Sequence, residues 1–170
     1  LYLPIEIKYR EFLSNLLLAS FAVKSGFRVY IGSKDAIATL INTKNDKGGI
    51  FFYKGGKDLN SLMNIKKKCD HFAILDQEMG TETKNYGKVI RRRIWPGTEQ
   101  HIDRYYVIGK HGYEVSCNIF PEMKTSIRCS GWPRIDMWRK ENNFLFKNEA
   151  EDILKKHGNF IFFSSDFGYN

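Results

Sequence analysis

The chain has 170 residues, 42% of them hydrophobic and 15% aromatic, which is enough for one folded core and too little for two domains of ordinary size. Its 27 Lys and Arg against 19 Asp and Glu leave a formal charge of +8, favouring anionic partners such as nucleic acid, an acidic membrane surface, or phosphorylated and acidic sugars. The three cysteines, Cys69, Cys117 and Cys129, are odd in number and lack CxxC or metal-like spacing, which argues against a disulfide framework or zinc site and fits a reducing compartment.

No apolar run approaches membrane-spanning length, and the opening residues are too short in apolar length and too acidic for a signal peptide. The expectation is a cytoplasmic chain. In order, residues 1–7 read as a strand, and 10–25 as a helix whose apolar residues Phe12, Leu13, Leu16, Leu17, Ala19, Phe21 and Val23 cover most of its surface, as packing between a sheet and neighbours requires. Gly26 closes it. Residues 27–31 form the next strand, 34–43 a helix, 50–53 a strand and 58–68 a helix with Leu59, Leu62, Met63 and Ile65 inward.

Residues 72–75, Phe-Ala-Ile-Leu, are apolar without alternation, as a central parallel strand covered on both faces would be. Asp76, Glu78 and Gly80 follow, at the carboxyl end where ligands of open α/β sheets bind. The segment to His101 reads as loop and short helix, 105–108 as a strand, and 109–112 as a loop carrying Lys110 and His111. A helix over 113–120, a short strand at 127–129 and a helical stretch near Met137 and Trp138 come next. The tail reads as a helix over 148–157 and an apolar strand over 159–164. This alternation predicts a doubly wound, Rossmann-like parallel sheet with right-handed crossovers. The expected organisation is a Rossmann-like domain over 1–138, a linker and helix over 139–158, and over 159–170 the first strand of a second Rossmann-like domain in a longer protein.

Tyr2-Leu3-Pro4-Ile5-Glu6 with Arg10-Glu11, Leu75-Asp76-Gln77-Glu78 with Gly80, Val107-Ile108-Gly109, and Gly131-Trp132-Pro133-Arg134-Ile135-Asp136 occur in an order that resembles bacterial surface-carbohydrate biosynthesis proteins, GT-B glycosyltransferases. The Gly-x-Pro-Arg-x-Asp segment is also similar to one in teichoic-acid glycerophosphotransferases and GT-B sugar-nucleotide epimerases, where it ends the first Rossmann-like domain. Two positions depart from the family pattern. Gln77 and Met79 interrupt an Asp-Glu-Glu-Gly run, and Trp132 stands where Asn is usual.

The resemblance implies a cytoplasmic transferase with no metal or bound cofactor. It takes its donor as a nucleotide sugar on a second domain and its glycan or lipid-linked acceptor on this one. Transfer needs a carboxylate as base or nucleophile. Glu78 is the first candidate by the resemblance and Asp76 the second. His111 is a third catalytic candidate, and Glu6, Arg10, Gly80 and Lys110 are candidates for substrate binding. Arg10 has two readings, as a clamp on a carboxylate or phosphate, or as a partner of Glu6 at a helix start.

The triplets Lys66 to Lys68 and Arg91 to Arg93 lack the interleaved aromatics of nucleic-acid modules, so nucleic acid is not an expected partner; they suit contact with the anionic cytoplasmic face of a membrane. Competing readings are a GT-B epimerase and a non-enzymatic flavodoxin-like binding domain. No GxxxxGK[ST], GxGxxG after a strand, or HExxH is present.

Overall fold

The computed structural model describes residues 1–77 and 85–163. These fall into two compact units, Leu1–Met137 and Trp138–Asn170. The first is a six-stranded, all-parallel sheet: β1 Tyr2–Ile5, β2 Tyr30–Ser33, β3 Ile50–Tyr53, β4 His71–Leu75, β5 Arg104–Ile108 and β6 Ile127–Ser130. Between them run α1 Lys8–Lys24, α2 Lys34–Thr43, α3 Leu59–Lys68, α4 Tyr86–Arg91 and α5 Gly109–Ile119, and α6 Pro133–Asp136 follows β6. The α/β doubly wound, Rossmann-like architecture is therefore present.

The strand order is β2-β1-β3-β4-β5-β6. The chain moves one way from β1 to β2 and the other way thereafter. Right-handed crossovers then place α1 on one face of the sheet and α2 to α5 on the opposite face. Burial agrees: Ile37, Ile41, Leu62, Ile90 and Phe120 share a core with the β-strand residues Phe51, Phe72, Ile74, Tyr105 and Val107. The alternate strand residues Phe52, Ala73 and Tyr106 instead line a cavity with Leu18 and Ala22 of α1. Within the main core, Phe51 and Phe72 stack at 5.7 Å between centroids.

Local chemistry explains the element starts. The Ser33 hydroxyl accepts from the Ala36 N–H, and the Asp58 carboxylate from the Ser61 N–H, capping α2 and α3. Asp103 accepts from the Phe72 N–H at 2.7 Å and from Lys66 at 2.7 Å, which ties α3 and the loop before β5 to the start of β4.

Two expectations are corrected. Most of the apolar residues of α1 named above are not buried between layers. Leu13, Leu16, Phe21 and Val23 are exposed, while Glu11, Ser14, Asn15 and Ala19 are buried. The polar side chains are tolerated there because they are bonded: Ser14 and Asn15 each donate to the Glu11 carbonyl at 3.0 Å. Second, residues 109–112 are the first turn of α5 rather than a loop, with Gly112 buried. In the second unit, a 3₁₀ turn Lys140–Phe146 leads into α7 Lys147–His157; 159–163 carry no strand pairing, and the rest of the expected tail strand lies outside the described residues. A strand needs a neighbour to take its backbone N–H and C=O groups, and none pairs with this segment among the described residues.

Candidate functional site

β1 lies second from one edge of the sheet, flanked by β2 and β3, so the chain's direction of travel reverses there. β1 pairs with β2 along its whole length but registers with β3 at the single pair Tyr2 and Phe51, near its amino end. Toward their carboxyl ends the two strands share no further register pair. In open α/β sheets such a reversal is where ligands bind.

Glu6 leaves the end of β1, Tyr53 ends β3, and Lys54 follows it. Lys54 Nζ lies 2.7 Å from Glu6 Oε2 and 2.7 Å from Glu11 Oε1 on α1. The Tyr53 hydroxyl donates to Glu6, and Lys34 Nζ reaches Glu6 at 3.3 Å. Glu11 is closed off by its own partners, accepting from the Glu6 N–H at 2.9 Å. Its side chain is 2% exposed and that of Glu6 31%, so one carboxylate anchors Lys54 and the other meets the solvent.

The electrostatics follow from these contacts. Lys54 and the Tyr53 hydroxyl hold the Glu6 carboxyl down at about 2. Burial pushes Glu11 up, but the bonds from Lys54 and the Glu6 N–H outweigh it and leave the group below its ordinary value. Burial and the neighbouring Glu6 push the Tyr53 hydroxyl well above its usual range, so it stays a donor. Burial lowers Lys54, and the two carboxylates more than reverse this. Glu6 is therefore a fixed anion, suited to accepting hydrogen bonds from hydroxyls and a poor base at neutral pH.

These residues open onto a cleft of about 360 Å³ lined by Glu6, Arg10, Tyr53, Lys54, Arg93 and Trp95, with the backbone of Gly55 and Gly56 in its wall. Gly56 donates its N–H to the Arg93 carbonyl at 2.9 Å. A Cβ there would stand 2.6 Å from the same oxygen, so only glycine admits this approach. On the other side, Trp95-Pro96-Gly97-Thr98 forms a turn closed by the Thr98 N–H on the Trp95 carbonyl at 3.1 Å. Pro sits second and Gly97 third with φ +83, the signature of a type II turn. The turn holds Trp95 at the cleft, 54% exposed.

Asp76 does not line the cleft and reaches it only through Arg93. It is fully buried and bonded by the Arg93 guanidinium, whose Nη2 lies 3.0 Å from Asp76 Oδ1 and 3.4 Å from the Lys54 carbonyl. Asp76 thereby positions Arg93, which joins the ends of β3 and β4. Arg10 lines the cleft from α1, and its guanidinium is 3.7 Å from Glu11; Glu6 takes Lys54, Lys34 and Tyr53 as partners. The other candidates sit apart from this cluster. His111, in the first turn of α5, stacks on Tyr86 at 5.6 Å between centroids. Lys110 is 88% exposed and 3.8 Å from Glu114. Neither lines the cleft. Glu78 and Gly80 lie outside the described residues.

Sequence reasoning missed Tyr53, Lys54, the two glycines, Arg93 and Trp95. Lys54-Gly55-Gly56 directly after a strand was the available signal, as was the turn-forming Trp-Pro-Gly. Among the described residues no three His, Cys, Asp or Glu side chains gather as a metal ion would require. The chain matches no protein-family model, no curated protein and no solved structure.

Proposed function

We propose that this chain is the acceptor-side Rossmann-like domain of a GT-B glycosyltransferase making a bacterial surface polysaccharide, and that the acceptor glycan sits in the cleft between β1 and β3. The observation that carries this reading is the Glu6 carboxylate, fixed by Lys54 and Tyr53 yet open to a cleft with an exposed Trp95. A pyranose presents hydroxyls at its edge and C–H groups on its faces. A fixed carboxylate accepts from the first, and an aromatic face packs against the second. Arg10 adds a cation at the rim.

In transfer, an acceptor hydroxyl oxygen attacks the donor's anomeric carbon as the bond to the phosphate oxygen breaks. The nucleotide leaves with that electron pair, and the hydroxyl proton passes to a carboxylate. Glu6 is too acidic for this role. Glu78 is assigned it, on the resemblance described above. Asp76 serves by positioning Arg93.

The test is nucleotide release by the full-length protein against CMP-, CDP-, UDP- and GDP-sugars, with Glu78→Gln alongside. Release from one donor that collapses in the variant supports the reading. The strand order favours one alternative, because 2-1-3-4-5 is also the order of flavodoxin-like binding domains. That alternative predicts ligand binding at the same cleft with no release from any donor.

A further inference from the structure

The outer face of α1 carries an open apolar stripe. Tyr9, Leu13, Leu16 and Val23 are separated by four, three and seven residues, which aligns them along one side of a helix. They are 102%, 51%, 46% and 58% exposed. Scattered exposed apolar side chains need no explanation, but an aligned row of them marks a surface that meets something, and this one is broken only by the small Ser20 between Leu16 and Val23.

The charges on this helix are one-sided. Lys8 and Arg10 stand in its first turn, Lys24 in its last, and Arg28 just beyond, all exposed; its single acid, Glu11, is buried against Lys54. A second copy is a poor occupant for such a face. An antiparallel pairing sets Lys8 against Lys24, a parallel one sets each cation against itself, and no exposed acid on the helix offsets either. The basic triplets are less available, since Lys66 bonds Asp103, Lys68 donates to the Lys44 carbonyl and Arg93 bonds Asp76.

An apolar stripe flanked only by cations complements a surface with an apolar interior and anionic headgroups. No helix among the described residues is long and apolar enough to cross a membrane, so such contact would be made from one side. We propose that the outer face of α1 docks the protein on an anionic lipid bilayer, with Leu13, Leu16 and Val23 entering the interface and Lys8, Lys24 and Arg28 meeting headgroups. Because α1 begins where β1 ends, docking sets the cleft's Arg10 rim beside the bilayer. The proposal stands independently of the transfer reading.

The test is sedimentation of the full-length protein with vesicles of phosphatidylcholine alone, or of phosphatidylcholine mixed with phosphatidylglycerol. Binding to the mixed vesicles only is expected, weakening as salt is raised. Each of Lys8→Gln, Lys24→Gln and Arg28→Gln weakens it by about five-fold. The double variant Leu13→Ser/Leu16→Ser loses binding while keeping the wild-type melting temperature, since both side chains are already about half exposed. Absence of wild-type binding to the mixed vesicles overturns the proposal and hands the face to a protein partner. Equal binding to both vesicle types, or unchanged binding by the double variant, also overturns it. The assay contains no sugar donor, so its failure is separate from failure of the transferase reading.

Discussion

Lys54 and Glu11 form an ion pair of 2.7 Å between elements far apart in sequence, and it is the junction on which the cleft is built. The carboxylate is 2% exposed and the ammonium 14%, so water replaces little of this contact, although Lys54 keeps Glu6 as a second partner. Lys54→Met is therefore expected to lower the unfolding free energy by about 1–3 kcal/mol, because the buried Glu11 carboxylate then keeps only the Glu6 N–H and the Arg10 guanidinium at 3.7 Å. Lys54→Met combined with Glu11→Leu should recover most of that loss. Urea unfolding of the two single variants and the double variant gives the coupling. Additive losses would show that the pair is not the junction.

Neighbouring glycines in the cleft wall should respond differently to the same substitution. A Cβ at Gly56 meets the Arg93 carbonyl at 2.6 Å, whereas one at Gly55 meets only Arg93 Nη2 at 3.7 Å, an ordinary contact. Gly56→Ala is expected to cost about 1–3 kcal/mol by forcing two backbone segments apart. Gly55→Ala should stay within about 0.5 kcal/mol of wild type. Thermal or urea unfolding decides, and equal effects would count against the close approach.

Acid should weaken the site through Glu6 in a definite window. Its carboxyl lies at about 2, below the ordinary 4.5, so the folded state binds fewer protons than the unfolded state between those values. The stability it contributes is present above pH 4.5 and is lost as pH falls toward 2. Lys54 is raised, so its contribution is full below its ordinary 10.5 and is lost only as pH rises beyond that. Glu6→Gln should accordingly be less stable than wild type at pH 7, with the gap closing as pH drops below 4.5. Urea midpoints across that range test it; a gap independent of pH would mean that the charge is not what matters.

Much of the sheet was legible locally, and the reasons are specific. Residues 72–75 are buried on both faces, and the unbroken apolar run announces that without reference to the rest of the chain. Helix α2 is bracketed by its Ser33 cap and matches the expected span at both ends. The orientation of α1 was not legible. Three of its four buried residues are polar, and Glu11 is made tolerable by Lys54, a partner 43 residues away that no periodicity reveals. His111 was misread as a loop residue because glycines at 109 and 112 signal a turn, yet packing of Gly112 against the core carries the helix through them.

Of the site, Glu6 and Arg10 were found because acids and bases after a first strand stand out, while Tyr53 and Lys54 were not. Their importance depends on β3 lying next to β1. That adjacency comes from strand order, which a local pattern does not carry. Asp76 was found for its place after the central strand, but its role depends on Arg93, 17 residues on across irregular chain.

Under the proposed function, Glu6 holds the acceptor. Once a donor has been identified by nucleotide release, the most direct measurement is the acceptor dependence of that release by the full-length protein, wild type against Glu6→Gln. Loss of a charged hydrogen-bond acceptor should raise the acceptor KM by about ten- to a hundred-fold and leave the donor KM unchanged. An unchanged acceptor KM, or a change in the donor KM alone, would contradict the assignment of this cleft.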